Sequence, residues 1–503
     1  MGWFGHAAKR VAKPIRRVGR VVRALWDAAQ TTDENKNHWS MADGYSADSA
    51  ANPAARRTVR NRARYEACNN SWLAGIVATK INDVIGTGPH LELETEDEEA
   101  NEKIEGVFRE WAKEVRLAQK LRTCRAKRLI DGEVFIVLTT NPKLRSPIKL
   151  DLKLIEAEQV TTPNLSILQP NAVDGIDLDE YGNPVTYHIL KHHPGDTLAW
   201  KNGWETDPVP ASDVIHYYHL DRPGQNRGVS EIMPALSLFA LMRRYTLATV
   251  RAAEQFAELP MAIYTDQPPG DPDAATPEAM DTFEIERGMA TVLPESYKPF
   301  MPTPSQPTTT YPTFIDCLLN EIVRCINMPL NIAKGNSGGY NLASSRLDRH
   351  LWVRSVDVDR EEIENIVLDR LFDAWMREAV LVSDLLPIPM RTQIAQGEQV
   401  PHAYFWDGFE DADPVKDTSG TDTQLKNNTT TLAIQWAKRG IPWRNALSQI
   451  AKEQAYAKSL GVSLVGMTAS APAQPAPASN SPMPGDKSAV VDDNDKEDAA
   501  ADE

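Results

Sequence analysis

Apolar residues recur at three- and four-residue spacing through Phe314, Leu318, Ile322 and Cys325, which marks one face of a helix. Pro312 opens that helix. Pro329 stops it after Met328, because proline lacks a donor N–H and collides with the preceding turn. A polar, glycine-bearing stretch follows from Leu330 to Asn341. The helical pattern returns from Ser344 through Leu347, Leu351, Val358, Ile363, Ile366, Leu371 and Ala374. A helix from Ser344 to Met376 would reach ~50 Å at ~1.5 Å per residue. That exceeds the need of one compact domain, so the pattern predicts a scaffold that holds the loop out into open space.

Upstream, Arg56 to Ile85 scans as one helix. Arg56, Arg57, Arg60, Arg62 and Arg64 crowd its start, and Trp72, Leu73, Ile76, Val77 and Ile81 supply an apolar face. The arginines are expected on a solvated face or in salt bridges between subunits. Gly86-Thr87-Gly88-Pro89 ends the helix. Leu91 to Glu94 reads as a strand. Thr95, with Glu98 three residues on, suits a capping box for a helix bearing Ile104, Val107, Phe108 and Trp111. A helix over Leu121 to Ile130 passes through Asp131-Gly132 into the strand Val134 to Leu138. Strands over Ile148 to Ile155, Val185 to Leu190 and Val214 to Leu220 complete a mixed α/β domain over 56–227.

Next, Ile232, Leu236, Phe239, Met242, Thr246, Val250, Ala253 and Ala257 define a helix of ~40 Å with Ser230 as N-cap. Pro234 is tolerated near its first turn. Strands at Met261 to Tyr264 and Ala290 to Leu293, with a short helix at Glu278 to Arg287, make a module too small to hold a core alone. It is expected to pack against neighbouring copies. Leu425 to Leu460 scans as two helices broken at Gly440-Ile441-Pro442.

Composition changes the picture at the ends. The chain of 503 residues is 42% hydrophobic and 25% charged, enough for several domains with a real core. Its net charge of −16 argues against a field that gathers nucleic acid, and does not exclude a protein that lets DNA pass without sticking. Lys9, Arg10, Lys13, Arg16, Arg17, Arg20 and Arg23 precede the first acid, Asp27, and Val11, Ile15, Val18, Val22 and Leu25 share a face. Such a basic amphipathic segment suits nucleic acid, an acidic partner or a membrane surface, or is simply a solubilising arm. No apolar run is long enough to span a bilayer. From Ala469 the composition turns to Ala, Pro and Ser and then to acid, which predicts a disordered tail. Cys68, Cys124, Cys317 and Cys325 form no Cys-x-x-Cys pair and are expected as reduced thiols.

Signals for chemistry are weak. Gly335 to Gly339 lacks the Lys-Ser/Thr that a phosphate-binding loop needs, and no strand leads into it. No Gly-x-Ser-x-Gly elbow occurs. His188, His192, His193, His216 and His219 cluster along the chain, but not at metal-ligand spacing.

Several blocks then carry a resemblance by their order and spacing. They are Arg128-Leu129-Ile130-Asp131-Gly132-Glu133-Val134-Phe135; Gly175-Ile176-Asp177 with Tyr181-Gly182-Asn183-Pro184-Val185-Thr186-Tyr187; Val214-Ile215-His216 leading to Arg222-Pro223-Gly224-Gln225-Asn226-Arg227-Gly228-Val229-Ser230; and Asp413-Pro414-Val415-Lys416. Over roughly Arg56 to Leu460 the chain resembles the phage portal proteins of the lambda family. The long helix departs from the family's usual Tyr-Ser-Ser-x-Arg-like start, reading Tyr340-Asn341-Leu342-Ala343-Ser344-Ser345-Arg346, so the loop boundary stays open by a few residues.

The resemblance implies an α+β, multi-domain, portal-type ring subunit with an α/β wing, a helical stem, a small α/β clip and a helical crown. Carried onto this chain, these are a basic arm at 1–55, a wing at 56–227 and 344–424, stem helices at 228–258 and 306–328, and a clip at 259–305. A tunnel loop at 329–343, a crown at 425–465 and an acidic tail at 466–503 complete it. It further implies a ring, usually dodecameric, at one capsid vertex, through which double-stranded DNA is packaged and ejected. The implied partners are further copies of the chain, the terminase large subunit, a head-tail adaptor, and the major capsid and scaffolding proteins. No cofactor, catalysis or stable membrane insertion is implied. The implied location is the virion, and the host cytoplasm during assembly. Lys334, Gly335, Asn336, Ser337, Gly338 and Gly339 would face DNA, with Lys334 forming a cationic ring. Arg10, Arg16, Arg17, Arg20 and Arg23 would touch nucleic acid or a partner. The competing readings are a metal-dependent hydrolase built on the five histidines and a membrane-surface anchor at residues 1–26.

Overall fold

The computed structural model describes residues 33, 36–40, 42–162, 171–197, 204–258, 262–265, 297–300, 310–336, 338–339, 341–409 and 414–462. The expected basic arm at Arg10 to Arg23, the acidic tail, the helix at 278–287, the strand at 290–293, and Ser337 lie outside the described residues. The chain divides into two units, 1–442 and 443–503.

In the first unit, helices α1 (Ala47–Ala50), α2 (Pro53–Asn69) and α3 (Ser71–Val84) lead to strand β1 (His90–Leu93). The single helix expected over 56–85 is two. Asn70 adopts an extended backbone, and its side chain accepts from Trp72 N, so it restarts the helix as an N-cap. Helix α4 (Glu98–Glu114) is capped by Asp97, whose carboxylate accepts from Ala100 N. The expected cap, Thr95, instead donates to Asn101 Oδ1. Helix α5 (Leu117–Asp131) ends at Gly132 and runs into strand β2 (Glu133–Thr140).

Strands β3 (Leu150–Ile155), β4 (Ala172–Val173), β5 (Ile176–Leu178), β6 (Pro184–Leu190), β7 (Thr206–Pro210) and β8 (Val214–Tyr218) follow. They form a three-stranded sheet in the order β3-β2-β8 and a four-stranded sheet in the order β4-β5-β6-β7. Every pairing among the described strands is antiparallel, which makes the fold α+β rather than parallel α/β. The strands β4, β5 and β7 were not expected; they are two, three and five residues long.

After a 3₁₀ turn at Met233–Ala235, helix α6 (Leu236–Glu258) buries Leu236, Phe239 and Met242 as its spacing predicts. Strands β9 (Ala262–Thr265) and β10 (Tyr297–Phe300) pair with each other. Helix α7 (Tyr311–Arg324), helix α8 (Leu330–Lys334), the long helix α9 (Leu342–Ile363), a π turn at Glu364–Leu368 and helix α10 (Asp369–Ala379) come next. Helix α11 (Ile388–Ala395), strand β11 (His402–Phe405), which pairs with β1, and helices α12 (Pro414–Lys426) and α13 (Leu432–Ala437) complete the unit. Phe108 and Trp111 of α4 meet Phe372 and Trp375 of α10 in an aromatic cluster, with Phe108 and Trp375 centroids 5.3 Å apart. In the second unit the described element is helix α14 (Trp443–Ser459).

Candidate functional site

Three of the four blocks that carry the resemblance, those around Glu133, Tyr187 and Arg227, meet in space. Glu133, fully buried at the start of β2, accepts from Arg227 Nη2 at 2.7 Å, His216 Nε2 at 3.0 Å and the backbone N–H of Gly228 at 2.9 Å. Arg60 reaches the same carboxylate at 3.2 Å. Arg227 also donates to the carbonyls of Val160 and Ala157 and to Asp174. Glycine is required twice. A Cβ on Gly132, whose φ is 93°, would lie 2.4 Å from Val229 C, and one on Gly228 would lie 2.2 Å from Gly132 O. Two backbones touch there, and only hydrogen fits between them. Burial alone would raise the Glu133 pKa, but Arg227 and His216 outweigh it and hold the carboxyl well below its usual range.

A second ionic set ties the long helix to this frame. Asp359 of α9 pairs with Lys80 at 2.6 Å and Arg125 at 3.2 Å. Arg125 also grips Glu231 with two nitrogens at 3.1 Å, and Arg128 links Glu231 to Glu362. Burial would raise the Asp359 pKa, but Arg125 and Lys80 pull it down to about 2. These groups line a cavity of about 550 Å³ roofed by Ala47, Ala50 and Ala51. Within it Lys80, Arg125 and Arg128 pair with Glu231 and Asp359, while Arg222 donates to the Tyr45 carbonyl. Of the five arginines expected on a solvated face or between subunits, Arg57 and Arg62 are exposed and the other three turn inward. Arg56 and Arg60 are buried, and Arg64 pairs with Asp131 at 2.6 Å.

The glycine loop is more built than its composition predicts. Residues 330–334 are helical, and Asn331 and Ala333 are buried. Gly335, with φ 60°, ends the turn. Lys334 Nζ lies 2.8 Å from Asp316 Oδ1 of α7, so its charge is countered within the subunit. Gly335, Asn336, Gly338 and Gly339 are exposed. Asn336 Oδ1 accepts from Gly338 N, and Asn341 Oδ1 accepts from Ser344 N to cap α9. The long helix starts at Leu342, two residues before the expected Ser344.

Its predicted apolar face is split: Ile363 and Leu371 are buried as expected, but the part nearest the loop points outward. Leu347, Leu351 and Val358 are 67%, 62% and 55% exposed, while Trp352, Val356 and Ile363 are buried with Asp359 and Arg360. Polar anchors set this phase. Arg360 donates to the carbonyls of Val84, Asp83 and Asp407, and Trp352 Nε1 donates to Asp83 Oδ2 at 2.7 Å.

The five histidines do not converge on one centre. His188 pairs with Asp177 at 2.7 Å, His216 with Glu133, and His219 lies 3.6 Å from Asp221, while His192 is exposed. His216 is stacked between Phe135 and Tyr218, and burial lowers its pKa. Among the described residues, Glu156, Glu158 and His193 do bring ligand-type atoms within 4.8 Å of one another. Arg64 already bonds both carboxylates, at 3.2 and 3.1 Å. His193 Nδ1 accepts from Gly195 N, which leaves the proton on Nε2, the atom a metal would need. The hydrolase reading has no support in this geometry. All four cysteines are free, and burial pushes the Cys124 thiol up to about 12.

The sequence profile described as "Phage portal protein, lambda family" matches residues 32–354. A "Probable portal protein" of Halomonas phage phiHAP-1 is 24% identical over 494 residues, covering 91% of each chain. Among solved structures, the neck of an empty GTA particle aligns with a TM-score of 0.40 at 12% identity, over 75% of this chain and 92% of that one. The virion of a native gene transfer agent particle aligns at 0.31 and 10% identity, over 73% and 93%.

Proposed function

The chain belongs to the lambda family of phage portal proteins, and from that premise we propose that copies of it close into a ring, dodecameric by family habit, at one capsid vertex. The ring is the channel through which double-stranded DNA enters and leaves. The observation that carries this reading is the outward stripe Leu347, Leu351 and Val358, immediately behind the exposed glycine loop. Steps of four and seven residues put the three on one seam, the spacing with which helices meet other helices. Each such side chain is worth about 1.5–3 kcal/mol when fully buried, so an isolated subunit forgoes that gain. Leu241, Leu247 and Val250 of α6 and Phe314 of α7 are likewise exposed, and they extend the surface offered to a neighbouring copy.

In that ring 56–227 and 344–424 are the wing, 228–258 and 306–328 the stem, 259–305 the clip and 425–465 the crown. The loop at 329–343 faces DNA. The net charge of −16 favours passage over grip, since every phosphate contact adds to binding free energy and resists sliding. The pairing of Lys334 with Asp316 works in the same direction. Terminase large subunit, head-tail adaptor, and capsid and scaffolding proteins dock on the ring, and ATP hydrolysis belongs to the terminase. Arg10, Arg16, Arg17, Arg20 and Arg23 supply a basic fringe for DNA or an acidic partner. Electron micrographs and native mass spectra of the purified full chain test the reading. Closed rings with a hole wide enough for a duplex are expected. Single copies alone, at micromolar concentration, would sink it.

A further inference from the structure

Two helices of the first unit each turn to water a face that no other described residue covers. On α9, steps of four and three through Leu347, Leu351, Arg354, Val358 and Glu361 make one seam, with Asp357 beside it, and all six are exposed. On α6, steps of three and four through Arg244, Leu247, Arg251 and Glu254 make another, also exposed. The six charged side chains on these seams form no salt bridge among the described residues. The two helices end a row. Arg243 of α6 pairs with Glu66 of α2 at 3.0 Å, Asn70 turns α2 into α3, and Lys80 of α3 pairs with Asp359 of α9 at 2.6 Å.

On the premise that copies close into a ring, we propose that the α9 seam of one copy docks antiparallel on the α6 seam of the next. The order of charges selects this pairing. At ~1.5 Å per residue, setting Arg354 opposite Glu254 brings Asp357 opposite Arg251. Val358 then lies within a turn of Leu247, Glu361 lies between Arg251 and Arg244, and Leu351 reaches the last turn of α6. Each charge on the two seams faces its opposite. A parallel setting fails, because Asp357 at Arg251 would bring Glu361 beside Glu254. Two α9 seams paired with each other would match Arg354 to Glu361 but leave Arg244 and Arg251 unanswered. Such a self-paired contact also closes on two copies, whereas two unlike faces at the ends of a row hand the contact on from copy to copy. The apolar side chains supply buried area, and the charges set direction and register.

Charge reversal in the full chain, read by mass photometry across a dilution series, tests the pairing. Arg251→Glu sets two acids face to face and should weaken assembly about tenfold. Asp357→Arg sets two arginines face to face and should do the same. Together they restore an opposite pair, and assembly should return to within about threefold of the parent. Denaturant melts of the dissociated subunits should coincide, since both sites are in water. Single reversals that leave the parent's rings intact overturn the pairing while the ring stands, and so does a double variant as weak as the singles. A parent that gives only single copies overturns the ring and the pairing together. Should a reversed chain not fold, cross-linking decides. Leu247→Cys/Val358→Cys, with the exposed Cys68 and Cys317 changed to Ser, should give a ladder of covalent oligomers with a short bis-maleimide. Dimers alone would mean a self-paired seam and no product an uncovered one, and either result overturns the pairing.

Discussion

Around Glu133 the side chains out of water are arginines and carboxylates; along α9 the side chains in water are leucine and valine. Both regions break the usual partition, and for different reasons. The buried charges complete one another inside one chain. Arg227, Arg60 and His216 surround Glu133, and Lys80 and Arg125 surround Asp359. That frame needs no second molecule. The outward stripe of α9 has no such completion within the subunit. A buried charge cluster thus marks where this fold is self-sufficient, and an exposed apolar seam marks where it is not.

The comparison breaks first if the frame tolerates losing a charge. Glu133→Ala leaves Arg227 and Arg60 buried without their shared carboxylate, and removing one partner of a buried pair costs ~3–5 kcal/mol. Denaturant unfolding should show that loss in the isolated subunit. A change under ~1 kcal/mol, the size of an exposed pair, would mean the cluster is solvated.

Acid should act next. Asp359 titrates at about 2 in the fold, against ~3.9 for an unperturbed aspartate. A folded value below the unfolded one means that its contribution is fully present above pH ~4 and is lost as pH falls through about 2. A fall of that size is worth ~2–3 kcal/mol. The measurement is stability against pH for the parent chain and for Asp359→Asn. The variant should lack this part of the acid loss, and parallel curves would remove Asp359 as its source.

How much of this was legible in the sequence differs between the two regions. The helices announce themselves by period, and α4, α5, α6 and α9 all exist near their expected positions. Which face of α9 turns inward does not announce itself. Leu347, Leu351 and Val358 look like a core stripe because periodicity counts apolar side chains and cannot see that Asp359 and Arg360 find partners on α3, α5 and the chain near Asp407. The step of five from Ile366 to Leu371 is the one local trace of the π turn. Arg56, Arg60 and Arg64 read as a wet surface for the same reason, since their carboxylates lie up to a hundred or more residues away. The blocks Asp131-Gly132-Glu133 and Arg227-Gly228 did point to the right place. Their meaning, a backbone contact that excludes a Cβ, appears only when the two are side by side.

The outward seam gives the third and smaller effect. Leu351→Ala should leave subunit stability within ~0.5 kcal/mol, as exposed substitutions do. If a neighbour covers Leu351, the same change should weaken assembly about tenfold, the equivalent of ~1.4 kcal/mol. Mass photometry across a dilution series reads the oligomer, and denaturant melts read the subunit. A subunit destabilised by more than ~1 kcal/mol would place Leu351 in the core. Unchanged assembly would move the seam elsewhere.

Lys334 gives the smallest effect and sharpens the contrast most, because it lies where frame and loop meet. Its pair with Asp316 is partly exposed, with side chains 22% and 38% accessible, so its share of stability is ~0–1 kcal/mol at most. Asp316→Asn should therefore barely move unfolding. It should, however, free a cation beside the glycine loop in every copy of the chain. If the loop faces DNA, that release adds phosphate contacts, so binding of duplex to the assembled protein should tighten and its salt dependence steepen. Asp316→Asn/Lys334→Gln should cancel the gain. If Asp316→Asn leaves both affinity and salt slope unchanged, the loop does not line the path of DNA, whatever the ring's shape.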